Sequence, residues 1–469
     1  MDNYFGGNDR YPSETTLNLN PQENFSKKSK GLGEESLEPQ SERTLENFSY
    51  LMAWIGGCVF IGYFMLGATL VPPVGQMNLV QAVVCICVSA IIVSICFNIN
   101  GQAGHKYGIP FVVQMRSSFG FKGSKVPSVI RAIPAICWFG VQSWVGALAL
   151  NGISVKLMGF DSPIFWFITF QFLQIFLASL GFKGIKWVEN VGSIFILISL
   201  CYMLFVILVE HNATVQDNIV NIPGTWGLQF WGGTTAFLGV YTTLMLNISD
   251  YTREYKKSAR NSIMFIIHLI ATVPTTLFMA LIGLLSAGVT GKWDPIYLFV
   301  EIMPNNFMLV LALLFIAIAQ ITTNVMLNVV PPAYVMMDMF NISYKKGAVV
   351  TGLLAFATFP WKLATADSFN VFIQFYSIFL GPIFAVMVVD YYLIRSKKLD
   401  FKALYDKTGP YKGINWAGII AVVVGSAVGA LQIEISWYLS LIPAAATYYL
   451  LLRYSPLKSG SFVPKAQNG

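Results

Sequence analysis

From residue 48 to residue 453 the chain is a succession of apolar stretches of about 18–27 residues, separated by short polar loops. A stretch of that length crosses the ~30 Å hydrocarbon core of a bilayer as a helix. Lipid offers no partner for unpaired backbone groups, so helices are the form such segments must take. Twelve are placed, near 48–70, 78–99, 128–150, 163–182, 191–209, 229–248, 262–288, 305–331, 347–366, 369–394, 414–432 and 436–453. The ninth and tenth are almost fused. The expected fold class is an all-α integral membrane protein with twelve transmembrane helices.

Composition supports this. Of 469 residues, 55% are hydrophobic and 11% charged, less than half the ~25% charged share of a soluble domain. The net charge of +7 is no nucleic-acid footprint, because the basic residues are dispersed among loops rather than gathered into a patch. Eighteen Lys and Arg lie in loops that follow even-numbered spans, whereas loops after odd-numbered spans hold only Lys156, Lys292 and Lys362. Basic loops stay on the cytoplasmic side. The expectation is a multi-pass protein of the cell membrane, embedded in lipid, with both termini in the cytoplasm.

Residues 1–47 are polar and too poor in apolar side chains to fold alone, which reads as a disordered cytoplasmic tail without a cleaved signal peptide. Residues 454–469 read as a second cytoplasmic tail, leaving 48–453 as the transmembrane domain. Cys58, Cys85, Cys87, Cys96, Cys137 and Cys201 all fall inside apolar runs and read as packing residues. His105, His211 and His268 have no ligand spacing, so no zinc site and no cofactor is expected.

Spans 1 and 6 carry glycine near their middles: Gly56, Gly57, Gly62 and Gly67 in the first, Gly232, Gly233 and Gly239 in the second. Close helix packing is one reading. The other is a pair of broken helices framing a central site, since elements five spans apart enter the membrane from opposite sides. In span 3, Trp138 and Gln142 share a helix face. An indole beside an amide suits a flat polar heterocycle; a packed Trp and an interhelical Gln hydrogen bond are the structural alternative. In span 8, Thr322, Thr323, Asn324 and Asn328 are polar residues at depth, suited to a small cation or to interhelical bonding. Asp250, near Arg253, reads as part of a boundary ion pair.

The stretch Gly101 to Leu150, the motifs NISDYTRE (Asn247 to Glu254) and TTNVMLNVVPPAY (Thr322 to Tyr334), the Phe359-Pro360-Trp361 turn and LGPIFAVMVVDYYLIR (Leu380 to Arg395) together resemble the nucleobase:cation symporter-1 family. The hydantoin and allantoin permeases look nearest. The resemblance runs from about 44 to 455. It implies a five-plus-five inverted repeat, about 48–209 and about 229–394, with discontinuous helices 1 and 6 and two extra helices at 414–453. It implies import of a planar nitrogen heterocycle with sodium or protons. It implies a stacking role for Trp138 and ligand bonds from Gln142 and Asn328. For a sodium ion it implies carbonyls of Gly56, Val59 and Ala319 with hydroxyls of Thr322 and Thr323. Three positions depart from the family pattern: a second stacking Trp falls on Tyr241, a glycine on Val240, and a ligand-contacting Gln on Phe60. The expected function is a cation-coupled secondary transporter and not an enzyme. The alternative is a proton-coupled or uncoupled permease for a related heterocycle such as a vitamin or nucleoside.

Overall fold

The first apolar span is not one helix. In the computed structural model, which describes residues 37–40, 42–179, 198, 200–303 and 305–454, α1 (Asn47–Cys58) and α2 (Ile61–Ala68) meet at 46°. Between them Val59 takes φ −76, ψ 78 and Phe60 takes φ −128, ψ 124. Gly56 and Gly57 each lower helix stability by about 1 kcal/mol relative to Ala, and the β-branched and aromatic residues that follow favour extended backbone. The break expected in span 1 is therefore present.

The other helices follow in order: α3 (Leu79–Tyr107), α4 (Phe111–Gly123), α5 (Lys125–Met158), α6 (Pro163–Ser179), α7 (Leu200–Glu210), α8 (Leu228–Asn247), α9 (Asn261–Thr290), α10 (Pro295–Ile302), α11 (Asn306–Asn324), α12 (Val330–Phe340), α13 (Tyr344–Phe356), α14 (Ala366–Val389), α15 (Trp416–Gly429) and α16 (Ser436–Tyr454). Helix lies on each of the twelve intervals, although most of 191–199 is outside the described residues. Among the described residues five helices are long and apolar enough to cross a membrane, and the bent α1–α2 pair makes a sixth. Asn78 and Gln81 start α3 with a reciprocal capping box, and Gly108 ends it at φ 72, a conformation that glycine adopts without strain.

One expectation needs correction. Span 6 is not discontinuous: α8 runs unbroken for 20 residues. Its glycines serve packing instead. A Cβ at Gly233 would press on Leu70, Met77 and Cys85, and one at Gly239 on Ser377 and Ile373. Asp250 and Arg253 interact through their charges, as expected, and Asp250 is further anchored where its Oδ1 accepts the Phe111 backbone N–H (2.9 Å), at the first turn of α4. Beyond these, the eighth span is longer than its apolar run, because a π-helical turn, Val325–Val329, joins α11 to α12. The proposed disordered tail is described only from Leu37. There Leu45 bridges Tyr255, the Gln40 amide bonds to the Gly108 carbonyl, and Arg43 Nη1 donates to the His105 carbonyl (2.6 Å).

Packing divides the long helices into two groups. In one, α1–α2, α3, α8 and α9 lie against each other; in the other, α5, α6, α11, α12 and α13 do. In the first group α2 and α9 touch backbone to backbone, since a Cβ at Gly67 would collide with Ala280 and one at Gly283 with Phe64. Small residues permit that approach where no hydrophobic effect drives helices together. α14 touches both groups and packs on α16. At the end of α14 Asp390 is fully buried, accepting from Arg395 Nε (2.7 Å), Ser117 Oγ (2.7 Å) and the Tyr448 hydroxyl (2.8 Å).

Candidate functional site

Trp138 lies on α5 where the two groups meet, 2% exposed. The Phe60 ring, from the α1–α2 break, meets the indole edge to face with centroids 5.3 Å apart. Phe369 and Phe372 of α14 lie 5.6 and 5.9 Å away, and the indole N–H donates to the Tyr376 hydroxyl (3.1 Å). The indole is thus ringed by aromatic carbon and fixed at its one polar atom. Tyr376 was not singled out from the sequence, where it is one more aromatic in an apolar run.

Gln142 sits one turn after Trp138 on the same helix. It is fully buried, and among the described residues neither its Nε2 nor its Oε1 has a hydrogen-bond partner. The interhelical bond that would have made it a structural glutamine is missing. Leaving a buried amide unmade costs about 1–3 kcal/mol per group, so such a residue needs another reason to be there. Asn324 is the opposite case. Its Nδ2 donates to the Phe139 carbonyl (3.0 Å) and to Gln174 Oε1 (2.8 Å), while its Oδ1 accepts from Asn328 Nδ2 (2.9 Å). Gln174 Nε2 in turn donates to Ser143 (3.1 Å). This chain fixes the Asn328 amide from α6 through α11 and leaves the Asn328 oxygen as its uncommitted end.

Tyr241 and Val240, on α8, are both buried. The Tyr241 ring stacks on Tyr63 (4.6 Å, 17°), and its hydroxyl is hydrogen-bonded to Thr276 (2.5 Å). Tyr63 meets Phe60 edge to face at 5.0 Å. Tyr241 therefore connects to Trp138 through two intervening rings, Tyr63 and Phe60.

Among the residues expected around a cation, Val59 and Ala319 line one cavity of about 20 Å³, room for a single water-sized occupant. Val59 lies in the break, and among the described residues no donor reaches its carbonyl. The Gly56 carbonyl accepts the Val59 N–H (3.2 Å). Thr323 Oγ1 donates to the Ala319 carbonyl (2.8 Å), which leaves its lone pairs available. The side chain of Thr322 lies outside the described part. Among the described residues there is no cluster of three His, Cys, Asp or Glu that would hold a metal. The donor set is neutral oxygen, which fits a small monovalent ion better than a divalent one, whose sites collect carboxylates.

Comparison with known proteins identifies the family. The family described as "Permease for cytosine/purines, uracil, thiamine, allantoin" matches residues 38–454. The chain is 29% identical to the allantoin permease of Bacillus subtilis (strain 168), covering 91% of this chain and 94% of that protein. It is 25% identical to the hydantoin permease of Microbacterium maritypicum, over 88% of this chain and 87% of that one. Its fold is similar to the solved structure of Mhp1, a nucleobase-cation-symport-1 family transporter, in a closed conformation with bromovinylhydantoin bound; the TM-score is 0.81 at 25% identity, over 91% of this chain and 97% of that one. The chain belongs to the nucleobase:cation symporter-1 family, near its hydantoin and allantoin permeases, and it is a membrane permease rather than an enzyme.

Proposed function

We propose that the protein imports a planar nitrogen heterocycle of the hydantoin, allantoin or nucleobase type, coupled to sodium, by alternating access. The observation that carries this reading is Gln142: a fully buried amide with donor and acceptor both unspent, one turn from a fixed indole. A heterocycle edge bearing N–H beside C=O satisfies both ends at once. Trp138 supplies the stacking face, and the Asn328 oxygen accepts from a second ring N–H. Phe60, Val240 and Tyr241 form the less polar walls. The sodium ion is held by the carbonyls of Gly56, Val59 and Ala319 and by the hydroxyls of Thr322 and Thr323. Its donors come from both helix groups, so the ion favours the arrangement in which the substrate residues also meet.

Trp138 and Gln142 are closed off from solvent, so a ligand reaches them only when the two groups part on one side of the membrane. In this reading the twelve helices span the cell membrane with both termini in the cytoplasm, and 48–209 and 229–394 are inverted repeats. The continuity of α8 means that the second repeat does not copy the break of the first.

Uptake of labelled allantoin, hydantoin, uracil, cytosine and purines into proteoliposomes tests the proposal, with and without a sodium gradient at fixed pH. The expected result is uptake of a hydantoin or allantoin stimulated by inward sodium. Uptake driven by a pH gradient alone replaces sodium with protons. Uptake that ignores both gradients removes the coupling, and transport of none of these compounds overturns the substrate class.

A further inference from the structure

The small cavity between Val59 and Ala319 has one more polar neighbour. Gln320, next to Ala319 on α11, is 2% exposed, and its Oε1 is buried without a hydrogen-bond partner. It lines the same cavity. Among the described residues around that space it carries the only polar side chain; the rest of the wall is apolar, including Leu200, Met279 and Phe299. On a helix of 3.6 residues per turn, positions 316, 319, 320 and 323 form one stripe, so Gln320 shares a face with Ala319 and Thr323.

An amide oxygen buried in apolar surroundings needs something to bind. Water is a poor answer here. A buried water is held by two to four groups, in a balance of donors and acceptors. The groups that the described lining offers are two acceptors, the Val59 carbonyl, which accepts from no donor among the described residues, and Gln320 Oε1, against one side-chain donor, the Nε2 of the same amide. An excess of acceptors over donors suits a cation better than it suits a water. Among the described residues no carboxylate lines the space, so the charge that balances it is small.

We propose that the Gln320 side-chain oxygen is a direct ligand of a monovalent cation in this cavity, adding one neutral oxygen to those of the backbone and the α11 hydroxyls. The inference rests on the cation-coupled reading above and extends it. Gln320 ties the ion to α11 through a flexible side chain as well as through fixed backbone, and it sets both the affinity of the site and its preference among cations. Replacing the amide by a carboxylate would place a full negative charge against the ion and make occupancy dependent on pH.

The test needs no substrate. The purified full-length protein is titrated with sodium against choline at constant ionic strength, following melting temperature and binding of radioactive sodium. Wild type should show saturable stabilisation. Gln320→Leu should keep the wild-type melting temperature in choline and shift the sodium midpoint upward about tenfold. Gln320→Glu should shift the midpoint downward at pH 8 and lose that gain at low pH. If Gln320→Leu fails to fold, the pH response of Gln320→Glu alone decides. A wild-type sodium response with unchanged midpoints in the variants overturns the role of Gln320 and leaves coupling intact. No sodium response in wild type overturns the coupling reading, and the Gln320 assignment falls with it.

Discussion

The indole N–H of Trp138 is bonded to the hydroxyl of Tyr376, 3.1 Å away and 238 residues later in the chain. A buried indole of the second group is thereby set by α14, which belongs to neither group. The bond fixes the rotation of the ring about its own plane, and with it the face offered to a ligand.

Tyr376→Phe removes the acceptor and keeps the ring. The stranded indole N–H should cost about 1–3 kcal/mol, the usual penalty for an unpaired buried donor. Ligand affinity should fall by about the same measure, because an unbound indole no longer holds one orientation. Isothermal titration with the best-transported heterocycle checks this; an unchanged dissociation constant would show that the bond does not orient the site.

Gln142→Leu separates function from stability. The substitution removes two unpartnered polar atoms of a fully buried side chain, so the ligand-free protein should melt at the same temperature or higher. Ligand affinity should drop about 10- to 100-fold, corresponding to ~1–3 kcal/mol for lost hydrogen bonds. A large loss of stability without ligand would mean that the amide has a structural partner.

Asp390→Ala should behave in the reverse way. The carboxylate and the Arg395 guanidinium are 1% and 3% exposed. Removing the carboxylate leaves a buried cation, at a cost of about 3–5 kcal/mol. A marked fall in melting temperature is expected, with ligand affinity per folded molecule unchanged. Equal stability would show that Tyr411 and the Ser117 carbonyl, which also bond Arg395, suffice to hold it.

Single cysteines at positions 212 and 398, in a protein stripped of its own cysteines, test the orientation read from loop charge. Both positions are exposed. An impermeant maleimide applied to intact cells should label the first and miss the second. Labelling of both from outside contradicts the twelve-span topology.

Much of this architecture was legible because lipid allows few backbone solutions: apolar length gave the helices, and loop charge gave an orientation to test. The break near Gly56 was legible from propensity. The same signal misled at Gly232, Gly233 and Gly239, because a glycine that loosens a helix and a glycine that admits a neighbour look alike in one dimension. At Gly233 and Gly239 the side chains of Leu70 and Ser377 occupy the space a Cβ would fill, whereas a Cβ at Gly232 would meet Glu434 only in ordinary contact. Gln142 was legible as a polar residue at depth. That it has no partner depends on what α6 and α11 do not present to it, which spacing along one helix does not encode. Tyr376 and Gln320 were missed for a related reason: each takes its meaning from a group brought close only by tertiary packing, an indole in one case and an open carbonyl in the other.

The break between α1 and α2 has a consequence for how such a permease diversifies. Val59 borders the small cavity and Phe60 packs on the Trp138 ring, so adjacent residues face the two sites across one peptide plane. Gly62 presses the arrangement closer, because a Cβ there would strike the Phe60 ring. A substitution at residue 60 that reshapes the wall for a new ligand also rotates the plane that carries the Val59 carbonyl. Under the proposed function, substrate preference and cation affinity are thus mechanically tied at this point. A lineage adapting to a different heterocycle through residue 60 would have to retune its cation affinity elsewhere on α11, and variants selected for one property should carry compensating changes for the other.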